Sequence, residues 1–166
     1  MAAPARPDDE QVELHHAHAL AARARKRAQA EAIGVDAGFV SAFVDAFYAR
    51  IRADELLGPI FTERVADWDD HLGRMKRFWR SVLFSSGEYS GSPMPKHMAI
   101  PALDAGHFGH WLDLFYSTLR ELGAREEAVQ LVGSRARLIA DSLLTGIAVQ
   151  NGGLSGSRAG RELPTP

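Results

Sequence analysis

Pro93, Pro95 and Pro101 crowd one short stretch, Pro93-Met94-Pro95-Lys96-His97-Met98-Ala99-Ile100-Pro101. Proline lacks the amide hydrogen a helix needs and pushes its preceding residue out of the helical region. At most a turn or so of helix fits between residues 95 and 100. So short a helix is costly to order unless something holds it. What it offers the interior is His97, Met98 and Ile100. A metal centre gripping His97 would supply the missing stabilisation. A second histidine, His71, follows Trp68-Asp69-Asp70 at the start of a strongly periodic apolar segment. The two segments are expected to form opposite walls of one apolar pocket, each projecting an imidazole. A flat cofactor with a single central metal fits between such walls.

The rest of the chain repeats one pattern. Phe39, Val40, Phe43, Val44, Phe47, Tyr48 and Ile51 recur at spacings of three and four, with Asp36 as an N-cap. Trp68, His71, Leu72, Met75, Phe78, Trp79, Val82 and Leu83 form a second stripe behind Asp67, which ends near Ser85-Ser86-Gly87. Phe108, Trp111, Leu112, Phe115, Leu119 and Leu122 form a third behind Asp104, closed by Gly123. Val129, Leu131, Val132, Leu138, Ile139, Leu143 and Ile147 form a fourth from about 125 to 149. Between the first two, Gly58-Pro59 is turn chemistry, and Phe61 anchors the chain after it. Strand alternation, phosphate loops, repeats and nucleophile–base motifs are all missing, so the chain is all-α.

Spacing alone leaves the roles open. By that measure Tyr48 is more often a core tyrosine bonded to a backbone carbonyl, and His71 a core-edge histidine. His107 and His110 lie beside the third stripe and are expected to be partly exposed and non-ligating.

Composition narrows the chemistry. With 166 residues and 46% apolar content the chain is about one domain with a real core. A net charge of -2 implies neither a nucleic-acid nor a membrane partner. The lack of cysteine removes disulfides, zinc–thiolate sites, iron–sulfur clusters and a thiolate haem ligand. The N-terminal residues show no basic run followed by an apolar core, so a cytoplasmic location is expected. Residues 1–8 read as disordered and 9–32 as an exposed helix with Val12, Leu14 and Leu20 in a poor stripe. Its His15, His16 and His18 read as a solvated patch, and Arg23, Arg25, Lys26 and Arg27 as a solvated basic run. From Asn151 the Gly/Ser/Arg/Pro-rich composition predicts a disordered tail. The domain expectation is an N-terminal extension over 1–35, a core domain over 36–150 and a tail over 151–166.

The pieces, in order, resemble the truncated haemoglobins, most closely group III. The resemblance covers residues 36 to 148. It rests on Phe47-Tyr48, Leu57-Gly58-Pro59-Ile60-Phe61, Trp68-x-x-His71 and Phe78-Trp79. Tyr89-x-Gly91-x-Pro93 ahead of His97, and His107-Phe108-x-x-Trp111-Leu112, complete it. It implies a truncated globin-like two-over-two helical sandwich around haem b, here with an extra N-terminal helix. By that resemblance His97 is the proximal iron ligand, Tyr48 and Trp111 are distal hydrogen-bond donors, and His71 is the distal histidine. Phe61 packs at the haem edge, Ile100 belongs to the same cofactor pocket, and Met75, Phe78 and Trp79 line the distal wall or the core behind it.

The implied ligands are dioxygen, nitric oxide, carbon monoxide or peroxide. Each hydrogen bond to a charged acceptor contributes about 1.5–3 kcal/mol. Two such donors slow ligand release by a factor of roughly hundreds or more, since about 1.4 kcal/mol is tenfold. That suits oxygen, nitric oxide or peroxide chemistry better than delivery. The sequence leaves open whether the chain only binds gas or turns it over as a dioxygenase or peroxidase with an unidentified reductase. A cofactor-free helical interaction module is the remaining alternative.

Overall fold

The computed structural model describes residues 7–152 and 160–166, and among them every regular element is a helix. These are α1 (Pro7–Ala32), α2 (Ala37–Ala53), α3 (Gly58–Arg64), α4 (Trp68–Phe84), α5 (Pro93–Met98), α6 (Ala105–Glu121) and α7 (Glu126–Gln150).

Local chemistry sets most helix ends. The Asp36 carboxylate accepts from the Phe39 N–H at 2.7 Å, and Asp67 accepts from the Asp70 N–H at 3.1 Å. Asp104 accepts from the His107 N–H while the His107 ring accepts from the Asp104 N–H, a reciprocal capping box. Such caps satisfy amides that have no partner inside the helix. At the other end of α6, Gly123 takes φ 77°, and Ala124 N–H reaches back to the Leu119 carbonyl. A side chain at Gly123 would be strained in that left-handed conformation.

Two helix pairs stack. α2 lies on α4, α6 lies on α7, and α2 crosses α6 to join them. Phe43, Phe47 and Phe115 are fully buried at that crossing. Phe43 and Phe115 meet edge to face at 4.6 Å, and Phe47 and Phe115 at 5.1 Å. Each ring contributes about 1.5–3 kcal/mol through burial, plus an edge-to-face term of about 0.5–1.5 kcal/mol.

Several expectations need correction. Residues 58–64 form a short helix rather than only a turn, since proline is tolerated in a first helical turn. Leu122 is 42% exposed and Leu138 55% exposed, so neither faces inward. On α7 the buried line runs instead through Ala128, Val129, Val132, Gly133, Ala136, Ala140, Leu143, Leu144 and Ile147. Small residues in its first half let α7 approach α6 closely. The C-terminal segment is the largest departure. Residues 160–166 lie along α6 and α7 with Leu163 buried. The Tyr116 hydroxyl donates to the Pro164 carbonyl at 2.7 Å, and Arg137 donates to the Leu163 and Gly160 carbonyls. Composition predicts disorder there because the groove that receives Leu163 exists only once α6 and α7 have packed.

At the other end, residues 1–6 lie outside the described residues, as do 153–159. α1 matches the helix expected over 9–32, and Val12, Leu14 and Leu20 are exposed on it. Only its last turns touch the body, through Lys26 and Ala30. No single helix among the described residues is long and apolar enough to cross a membrane.

Candidate functional site

α5 is six residues long, with Pro93 in its first turn and no side-chain cap at Ser92. Its stability comes from outside. Met94 rests directly on Gly146 of α7, where a Cβ would lie 2.6 Å from the sulfur. Within α5, His97 Nδ1 lies 2.7 Å from the Pro93 carbonyl oxygen. A carbonyl only accepts, so Nδ1 carries the proton and donates. Nε2 is then the nitrogen with a free lone pair, the form in which imidazole binds metals. His97 is half-buried, as are Met98 and Ile100 beside it.

A second cluster gathers around Tyr48. Its buried ring meets Phe47 at 5.2 Å, His71 at 5.2 Å and Phe61 at 5.9 Å, each edge to face, and Trp68 at 6.4 Å. His71 also meets Trp68 at 5.6 Å. Burial pushes the Tyr48 hydroxyl well above its ordinary range, so it stays protonated and able to donate. Burial also lowers the His71 imidazole, and the charges of Arg74 and Lys96 lower it further, against the opposing pull of Asp70. His71 is therefore neutral at neutral pH. Its Nε2 is buried with no hydrogen-bond partner. Such an orphan is uncommon in a folded chain, and a bound group at this place would satisfy it.

Trp111 joins this cluster through Phe47, 5.4 Å away, and leans on Phe115 at 5.2 Å. Phe47 thus packs against both Tyr48 and Trp111. The stripe of α4 explains the remaining space. Only Trp79, Leu83 and Phe84 are buried on it, while Leu72, Met75 and Phe78 are half-buried against the core. α4 packs chiefly on α2 and α1, and α5 chiefly on α7. Lys96 of α5 nevertheless reaches His71 electrostatically. α4 and α5 thus come near one another at His71, and both sides keep half-buried apolar side chains, Leu72, Met75 and Phe78 on α4, and Met98 of α5 with Ile100 just after it.

The residues singled out from sequence divide accordingly. Tyr48, Phe61 and His71 come together, with Trp111 linked to them through Phe47. Met75 and Phe78 lie further along the half-buried side of α4, and His97 and Ile100 on the α5 side. Trp79 belongs to the core, at 3% exposure. His15, His16 and His18 are exposed, and the described residues hold no group of three side chains able to bind a metal on their own. His107 and His110 are half-buried and engaged with Asp104 and Asp54. Sequence reasoning missed two participants. Trp68 walls His71 and carries the Arg52 guanidinium 4.4 Å above its ring. Its spacing of three from His71 was the available signal. Asp54 had none, since its partner His110 is remote in the chain.

The donor set fits a haem: one imidazole with its outer nitrogen already satisfied, a neutral imidazole with an orphaned nitrogen, and apolar flanks. No family model matches the chain. A group 3 truncated haemoglobin of Campylobacter jejuni is 31% identical over 105 residues, covering 61% of this chain and 82% of that protein. The crystal structure of a group III truncated haemoglobin from Campylobacter jejuni superposes with a TM-score of 0.65 at 29% identity. It spans 71% of this chain and 94% of that one. Identity at this level over most of the relative, together with the shared helical arrangement, shows that the chain belongs to the group III truncated haemoglobins.

Proposed function

We propose that this chain binds haem b through His97 and serves oxygen, nitric oxide or peroxide chemistry at a polar distal pocket, rather than oxygen delivery. The observation that carries this reading is the bond between His97 Nδ1 and the Pro93 carbonyl, 2.7 Å. It orients the ring, selects the tautomer and leaves Nε2 as a ligand atom. His97 would hold the haem b, and the bound haem would supply an iron able to take up dioxygen, nitric oxide or carbon monoxide.

The remaining work falls to the chain. Phe61, Met75, Phe78 and Ile100 would flank the ring and exclude water. Tyr48, kept protonated by burial, and Trp111, whose indole N–H only donates, would hold a small ligand that carries negative charge. Donors in an enclosed site act strongly because little water competes. His71, neutral and without a partner at Nε2, would add a third polar contact or close the entry. A dioxygenase or peroxidase activity is the second reading, favoured by the same protonated Tyr48. It differs in requiring turnover with a reductant.

Hemin titration tests the proposal. The full chain should take up one haem and show a Soret band. His97→Ala should lose haem or its axial bond, with recovery on adding imidazole. An unchanged spectrum in His97→Ala would remove His97 from its role, and failure to take up hemin stoichiometrically would end the reading.

A further inference from the structure

A hollow of about 230 Å³ lies where α1 meets the body, and none of the residues proposed above to hold haem lines it. Lys26, Gln29 and Ala30 of α1, Ile33 just after it, Leu83 of α4, and Leu131 and Arg135 of α7 line it. Ala30 and Leu83 are buried, and Ile33 and Leu131 are half-buried, so most of the lining is aliphatic. The polar part is one amide and two cations. The Lys26 ammonium is fixed in place. It donates to the Ser85 hydroxyl at 2.9 Å and to the Val82 carbonyl at 3.1 Å, at the C-terminal end of α4. An ammonium has three donors, so one is left over. Arg135 stands close enough that its charge, after burial, helps lower the Lys26 ammonium from its ordinary value. Among the described residues the ion pairs include neither Lys26 nor Arg135. Two like charges thus share an aliphatic hollow with no anion between them. A carboxylate placed between them is attracted to both.

We infer that this hollow is a binding site for a small organic anion, a carboxylate with a compact aliphatic body. The carboxylate would lie between Lys26 and Arg135, which can bind it with two parallel N–H bonds. The aliphatic part would lie on Ala30, Ile33, Leu83 and Leu131. The volume is below the roughly 300–1,000 Å³ of drug-sized pockets, so the ligand is a small one. α1 supplies three of the seven lining residues, so occupancy would also fasten α1 to the body.

Isothermal titration calorimetry of the full chain with hexanoate, hexan-1-ol and inorganic phosphate tests this. Hexanoate should bind saturably, one per chain, with hexan-1-ol and phosphate each roughly tenfold weaker or more. Arg135→Gln, a change on an exposed side chain, should weaken hexanoate by a similar factor. Leu131→Trp should fill the hollow and remove binding, with the circular dichroism of both variants unchanged. Hexan-1-ol binding as well as hexanoate would show a merely apolar cleft, and phosphate binding as well would show a plain anion site. Binding untouched in both variants would place hexanoate elsewhere. Each of these three results, or no binding at all, overturns the inference.

Discussion

His110 Nε2 lies 2.6 Å from a carboxylate oxygen of Asp54, joining α6 to the corner that follows α2. The other oxygen of Asp54 accepts from the Leu56 and Leu57 amides at 3.0 and 2.9 Å. One side chain thus holds both the α2–α3 corner and the helix that carries Trp111. Burial pushes the Asp54 carboxyl up, but the Leu57 amide, the His110 bond and the Leu56 amide outweigh it and hold it below the ordinary carboxylate range.

Asp54→Ala should therefore cost about 1.5–3 kcal/mol in urea denaturation at neutral pH, the scale of hydrogen bonds to a charged group. The sign with pH follows from the lowered carboxyl. Its contribution is complete above the unfolded value of 3.8 and is lost as pH falls through the lower folded value. Wild type and Asp54→Ala should converge in stability as the medium is acidified below that point. A gap that persists in strong acid would assign the loss to packing.

Tyr48 and Trp111 bear on ligand retention. In haem-loaded protein, Tyr48→Phe and Trp111→Phe should each speed gas release roughly 10- to 100-fold in stopped flow, because each removes one donor to a charged acceptor. Release rates equal to wild type in both variants would discard the donor argument while leaving haem binding intact.

Glu88 pins the loop that leads from α4 to α5. Both of its oxygens accept from Arg80, with Arg80 Nε to Oε2 and Nη2 to Oε1 each at 2.9 Å. The Arg80 bonds first, and then a bond from Ser86, pull its carboxyl down to about 2 from 4.5. The pair contributes fully above pH 4.5 and fades as pH falls toward 2. Solvent screens it, so the effect is modest. Glu88→Gln should flatten the acid limb of the stability curve between those values. A variant whose acid limb matches wild type would show that the loop is held by other contacts, such as the Tyr89 amide on the Ser81 hydroxyl.

The docked C-terminal segment predicts a stability effect outside the candidate site. Leu163→Ala should cost about 2–3 kcal/mol, as for a buried leucine truncated to alanine. Tyr116→Phe should cost about 1 kcal/mol, by removing the bond to the Pro164 carbonyl. Burial pushes that hydroxyl up to about 12, so its absorbance should titrate only in strong alkali. Thermal midpoints unchanged in both variants would mean that residues 160–166 do not stay docked in solution.

Much of this molecule was readable before any coordinates. The caps at Asp36, Asp67 and Asp104 each involve an amide three residues on, and the stripes on α2, α4 and α6 repeat every three or four residues. Both are local signals. The prolines around His97 likewise foretold a short helix in need of outside support. Tyr48, His71, Trp111 and His97 were named through the family resemblance, because spacing by itself favoured bland core roles for the first two.

Three of the missed features depend on chain segments far apart in sequence. Asp54 meets His110, Leu163 fills a groove between α6 and α7, and Lys26 of α1 caps α4 beside Arg135 of α7. Leu122 and Leu138 were misplaced because a stripe shows which residues are apolar, not where the neighbouring helix ends. Sequence alone determined the long helices, most of their ends and the residue types available to a metal site, since those follow from interactions within about a turn. The tertiary structure decided which half of the α4 stripe is buried and which stays half-buried, and which histidine nitrogens find partners. Those outcomes follow from how the helices cross.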